Sequence, residues 1–218
     1  MDAARRLPRR EDRATRTVIL TVTLAFLLAV FLDSFSVFHQ ECAQIQQEVL
    51  RLHILANSDR EEDQALKLAV RDRILTDTGA LFNCAENQAD AREAALKNLG
   101  AVEEAARAAL RAEGSDAPVQ AEVVRMFFDT RVYNGFTMPA GWYDALRVVI
   151  GAGEGHNWWC VLYPPLCVSA AEKLPEEMER FSEEERALLE SEPRYEVRFF
   201  LVELAEKIGM WFRSWWAG

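Results

Sequence analysis

The residues best suited to chemistry cluster in GAGEGHNWWCVLYPPLC, residues 151–167, where glycines lead into His156, Asn157, Trp158, Trp159 and Cys160, and Cys167 closes the stretch. In one reading His156 deprotonates Cys160, because a thiol attacks as its thiolate and needs a base beside it at neutral pH. A spacing of four residues permits that contact if the segment is helical. No third group stands out to orient the imidazole, and no hydrolase signature surrounds it. In a second reading Cys160 and Cys167 form a disulfide around Tyr163-Pro164-Pro165-Leu166, which can turn the chain back on itself; the alternative is two half-buried thiols. In a third the segment is a contact surface. Glycines allow close approach of another chain, and adjacent tryptophans can commit opposite faces, one inward and one outward.

Metal and phosphate chemistry are less well supported. His53, His156 and Glu154 are potential ligands, but their spacing matches no metal signature, so no metal and no cofactor are expected. The plainer reading of His53 is a strand histidine facing water or bonded to a neighbour. The glycines make a poor phosphate cradle, since no G-K-[ST] follows and Glu154 repels an anion.

The elements that must position this segment are readable from periodicity. In EVLRLHILA, residues 48–56, Leu50, Leu52 and Ile54 alternate with Arg51 and His53 as in a strand. Asn57 and Ser58 stop it, Ser58 and Glu61 have capping-box spacing, and Leu66, Val70 and Ile74 predict a helix ending at Gly79. An alanine-rich helix is predicted over 86–112, with Leu99, Val102, Ala106 and Leu110 as its buried stripe and Gly114 closing it. Strands are predicted over 119–128 and 145–150, with a loop through Asn134-Gly135 and Pro139 between them. An acidic helix spans about 176–190, with Ser182 and Glu185 at capping-box spacing. RYEVRFFLV, residues 194–202, reads as a fourth strand, and Ile208, Trp211, Phe212 and Trp215 share one face of a terminal helix. This order predicts an α+β fold, a mostly antiparallel sheet with packed helices, preceded by an N-terminal signal or transmembrane helix.

The chain has 218 residues and a formal net charge of -10, yet its first 16 residues hold Arg5, Arg6, Arg9, Arg10, Arg13 and Arg16. An acidic chain without a basic stripe is a poor ligand for phosphate backbones, so nucleic acid is not an expected partner. The arginines instead precede the uncharged run TVILTVTLAFLLAVFL, residues 17–32, and basic residues before an apolar run keep the N-terminus cytoplasmic. The expected organisation is a basic leader over 1–16, a signal peptide or signal anchor over 17–38, and an extracytoplasmic domain over 45–218. Trp211, Trp215 and Trp216, flanked by Lys207 and Arg213, either pack on the domain's own sheet or meet a bilayer or membrane protein.

Three separated blocks, LRLHILANSDREEDQALKLAVRD (50–72), MPAGWYDALRVVIG (138–151) and GEGHNWWCVLYPPLC (153–167), resemble the stage II sporulation protein R family of endospore-forming bacteria. With RYEVRFFLVEL the resemblance covers roughly residues 48–204. It implies a protein made in the forespore and exported to the intermembrane space, where it activates the membrane-embedded aspartic protease that processes pro-sigma-E. Its partner is then that protease, with no small-molecule substrate and no catalysis of its own. The expected contacts are His156, Asn157, Trp158, Trp159 and Tyr143, on a surface formed by 134–142 and 154–163. Asn57 and Asp59 join them if the first strand ends near this loop.

Overall fold

In the computed structural model the alternating segment forms strand β1 (Leu50–Leu55), and it lies at the centre of a sheet rather than at its surface. The structure describes residues 10–83, 85–133, 136–167, 180–189 and 196–216. The chain divides into two units, Met1–Gln40 and Glu41–Gly218. The described residues of the first lie within helix α1 (Arg10–Glu48), whose Ala14–Glu48 portion holds an 18-residue window of mean hydropathy 2.4 and is long and apolar enough to cross a membrane. A signal sequence meets the same criterion. Leu20, Leu24 and Phe26 stand exposed on it.

The second unit is an α+β fold. After β1 come α2 (Glu61–Asn83), α3 (Gln88–Lys97) and α4 (Leu99–Ala112), then β2 (Val119–Phe128), the short β3 (Arg131–Tyr133) and β4 (Phe136–Met138), then β5 (Gly141–Ile150) and β6 (Asn157–Tyr163). Four strands form one sheet in the order β2-β5-β1-β6, and β3 pairs with β4 in a separate hairpin. The β2–β5 and β1–β6 pairs are antiparallel, while the central β1–β5 pair is parallel. The two-residue period sends Leu52, Ile54, Leu146, Val148, Cys160 and Leu162 into one core with Val70, Ile74, Val102, Ala106 and Leu110 of the helices. Fully burying a leucine or isoleucine of this kind contributes about 1.5–3 kcal/mol.

Several sequence expectations change. The segment 194–202 is not a strand: from Glu196 onward it is the start of one helix, Glu196–Trp216, while 194–195 lie outside the described residues. Phe199 and Val202, three apart, are buried on one side of that helix, and Phe200 and Leu204, four apart, are exposed on the other. The same aromatic and branched residues therefore satisfy helical spacing, and β-propensity yields to it. The fourth strand is β6. The alanine-rich helix is broken at Asn98, whose backbone N–H bonds to Ala94 and Ala95 carbonyls and whose Nδ2 donates to Ala94 O at 2.8 Å. Helix α2 runs through Gly79 to Asn83. Ser58 does not pair with Glu61; its hydroxyl donates to Asp63 Oδ2 at 2.5 Å.

Other expectations hold. Gly114 closes α4 at φ +76°, with Ser115 N–H bonding back to Leu110 O at 2.8 Å. Ser182 and Glu185 form the reciprocal capping box of the short helix Glu183–Leu189, at 2.8 and 3.2 Å. The Asn134-Gly135 turn, Cys84 and residues 176–179 lie outside the described residues.

Candidate functional site

Antiparallel pairing of β1 with β6 sets Leu55 opposite Asn157, Ile54 opposite Trp158 and His53 opposite Trp159. The residues after β1 and those before β6 must therefore emerge at the same end of the sheet. There they lock together. Ala56 O accepts from Gly155 N–H at 3.0 Å, Asn57 O from Glu154 N–H at 3.2 Å, and Asn57 Oδ1 from Ala152 N–H at 2.9 Å. Asp59 Oδ1 accepts the His156 backbone N–H at 2.6 Å and also contacts the imidazole Nδ1. Asn57 and Asp59 thus join the histidine segment, as expected if the strand ended here.

The glycines serve this internal docking. A Cβ on Gly155 would stand 2.2 Å from the Ser58 carbonyl oxygen, and Gly151 and Gly153 adopt φ of +60° and +67°. The close approach they permit is to the chain's own 56–58 segment. Beneath it Asp63 accepts from Asn57 Nδ2 at 3.0 Å, from Ser58, and from Arg60 Nη2 at 3.2 Å. These bonds, Ser58's first, hold its carboxyl below the usual range. Lys67 Nζ donates to His156 O at 3.0 Å and to Gln64 Oε1 at 2.6 Å, and burial pushes its pKa down.

Trp158 and Trp159 occupy opposite faces of β6, as adjacent strand residues must. Neither is simply inward or outward: both are half-buried and each carries an arginine. The Arg71 guanidinium lies 4.3 Å from the Trp158 ring centroid, and Arg131 lies 4.3 Å from that of Trp159. Trp159 also meets His53 and Phe128 edge-on, at centroid distances of 5.4 and 5.0 Å. Both indole Nε1–H groups are shielded from solvent and have no acceptor among the described residues.

An open groove of about 860 Å³ runs past them, with Arg71 and Leu75 of α2 on one wall and Arg131 and Tyr133 of β3 on the other. Cys160 and Cys167, bridged as the second reading of this segment had it, line the same groove. β6 is an outer strand of the sheet, and among the described residues no strand pairs with its far edge. Tyr133 Oη donates to the Trp159 carbonyl at 3.3 Å and accepts from Arg51 Nη2 at 2.7 Å.

Arg51 alternates with Leu50 and Leu52 in β1 and is buried on the other face. It is 0% exposed, 4.1 Å from the Phe128 ring centroid and 5.0 Å from that of Tyr143. Its Nε and Nη1 have no partner among the described residues. His53 is buried as well, bonded through Nε2 to Asn157 Oδ1 at 3.0 Å, and burial lowers its pKa. Tyr143, expected on the contact surface, is wholly buried; its hydroxyl donates to Pro139 O at 2.7 Å, and burial raises its pKa. His156 and Asn157 are exposed, and Asn157 lines the groove. Arg71, Arg131 and Tyr133 were missed because each is an ordinary polar residue in its own element. Only the sheet order brings them to β6.

The Cys160/His156 pair is not assembled here. The intervening residues are a strand, in which four positions span about 13 Å, and the disulfide leaves Cys160 without a thiol. His53, His156 and Glu154 are not gathered into a metal site either: among the described residues no cluster of three or more His, Cys, Asp or Glu can hold an ion.

The family model described as stage II sporulation protein R matches residues 46–173, which span the whole sheet and the disulfide. The chain belongs to that family. The stage II sporulation protein R of Bacillus subtilis (strain 168) is 30% identical over 217 residues, covering 86% of this chain and 96% of that protein. No solved structure matches the chain. Membership in the stage II sporulation protein R family gives the chain a role in sporulation, and the matched stretch holds every residue of the locked loops and the tryptophan-lined groove.

Proposed function

We propose that the chain is an intercompartmental messenger of endospore formation, exported from the forespore to activate the membrane-embedded aspartic protease that processes pro-sigma-E. The observation that carries this reading is the outer edge of β6, which no strand pairs with among the described residues and which the groove lined by Trp158 and Trp159 flanks. A segment of the protease laid along that strand edge pairs with its backbone groups, by the strand-addition mode many peptide-binding domains use. Arg71 and Arg131 hold the two rings in place and offer cations to carboxylates of the incoming segment. His156 and Asn157 extend the contact.

Binding activates the protease only if its active state holds the messenger more tightly than its inactive one. The messenger needs no catalytic group for that. Export by the apolar N-terminal helix, with the arginines retained in the cytoplasm, places the domain where such a partner can meet it.

The test is processing of pro-sigma-E in sporulating cells that carry Trp159→Ala or Asn157→Ala, with the exported protein quantified in parallel. The reading expects reduced processing at normal protein level. Normal processing in both variants removes the groove from the mechanism. His156→Ala beside Cys160→Ser separates this from hydrolysis, since a cysteine hydrolase loses all function with either change while a folded binding protein does not.

A further inference from the structure

The C-terminal helix Glu196–Trp216 is built inside out relative to a surface helix. Phe200, Leu204, Ile208, Trp211 and Trp215 recur at intervals of four, four, three and four residues and so form one stripe, widened by Phe212 and Trp216. All are exposed, from 42% for Leu204 to 80% for Trp216. The opposite face is the one tied to the domain. Phe199 and Val202 are buried there and Glu203 accepts the Thr130 backbone N–H at 3.4 Å, while Lys207, at the stripe's edge, meets Asp129 at 3.0 Å. A stripe of seven large apolar side chains left facing outward exceeds what an isolated soluble domain ordinarily exposes.

We infer that this helix lies in the interfacial plane of an anionic bilayer, as a second membrane contact distinct from the N-terminal apolar segment. The helix has 21 residues, about 30 Å of length at about 1.5 Å per residue, which suits an in-plane strip. Its outer end is tryptophan-rich, and tryptophan prefers the headgroup boundary, where the ring is apolar and the indole N–H stays hydrated. Charge points the same way. From Ile208 to Trp216 the helix carries Arg213 and no carboxylate, within a chain of formal net charge -10, while Lys207 is taken up by Glu203 and Asp129. That end is attracted to anionic headgroups while the rest of the domain is repelled, which orients the helix with its terminus in the surface. The helix shares no residue with the groove, so this contact is tested separately from the messenger reading.

Quenching by brominated lipid tests it on the full chain. The tryptophans are at 142, 158, 159, 211, 215 and 216, with none in the N-terminal unit, so that segment adds nothing to the signal. In vesicles of brominated phosphatidylcholine with phosphatidylglycerol, about half of the indole emission is expected to become quenchable. The Trp211→Ser/Trp215→Ser/Trp216→Ser variant should lose that quenching. Arg213→Glu, which keeps every indole, should lower it at least twofold in anionic vesicles and leave it unchanged in zwitterionic ones. Emission from the C-terminal indoles that is unquenched in both vesicle types overturns the inference. So does equal quenching of Arg213→Glu and the parent in anionic vesicles, or a crosslinked dimer through Trp215, which assigns the stripe to a second copy.

Discussion

Asp59 and His156 stand 97 residues apart in the chain, yet the Asp59 carboxylate accepts the His156 backbone N–H at 2.6 Å and contacts its imidazole as well. This pair fastens the loop after β1 to the loop before β6 and so fixes the entrance to β6. Asp59→Ala is expected to lower the melting temperature by only a few degrees, since both side chains are more than half exposed. The larger effect is expected on signalling, through a loosened His156-Asn157 end. Thermal unfolding beside a processing assay reads both.

Gly155 and Gly79 make opposite predictions for the same change. A Cβ on Gly155 meets the Ser58 backbone at 2.2 Å, which cannot yield without parting the two loops, whereas one on Gly79 meets nothing within 4 Å among the described residues. Gly155→Ala should destabilise by about 1–3 kcal/mol. Gly79→Ala, inside α2, should stabilise by about 0.5–1 kcal/mol. Urea denaturation of the two variants against the parent decides it.

The buried Arg51 cation has one hydrogen-bonded partner among the described residues, the Tyr133 hydroxyl at 2.7 Å. Removing that partner alone leaves a buried charge uncompensated, whereas removing the charge as well leaves nothing to satisfy. Tyr133→Phe should cost about 1–3 kcal/mol in the parent and markedly less in an Arg51→Met background. The four corners of this double-mutant cycle, measured by chemical denaturation, give the coupling directly.

His53 gives the domain an acid-side weakness. Burial lowers its pKa first of all, with Arg147 and Arg51 adding repulsion, although Asn157 Oδ1 partly offsets them. The unfolded chain takes up a proton at about pH 6.5 that the folded one resists, so stability is present above that pH and declines as pH falls through it. His53→Gln should flatten the decline between about pH 7 and pH 5. Asp63, whose carboxyl is held below its usual range, acts in a separate window near pH 4 and lower, so the two are distinguishable in one titration of denaturation midpoints.

How much of this was legible in the sequence varies by residue. The α+β class, the Ser182-Glu185 box and the Gly114 stop were readable because each depends on neighbours within a few positions. The helix over 196–202 was not, since Phe199, Phe200 and Val202 suit a strand as well as a helix and only packing decides. Arg51 was hidden by the same logic. Alternation shows that it faces away from Leu50 and Leu52, but not that Phe128 and Tyr143 cover that face. The Asn157-Trp158-Trp159 segment was visible from composition. Its walls, Arg71 and Arg131, were not, because they come from a helix and a hairpin that the sheet order alone brings alongside.

The central claim is a physical contact between the β6 groove and the processing protease. A photo-crosslinking amino acid placed at Asn157, exposed where the groove opens, tests it in sporulating cells. A crosslinked species containing both this chain and the protease, lost in the Trp159→Ala background, is the predicted result. A protein that is exported at its normal level, supports processing and yields no crosslink to the protease contradicts it.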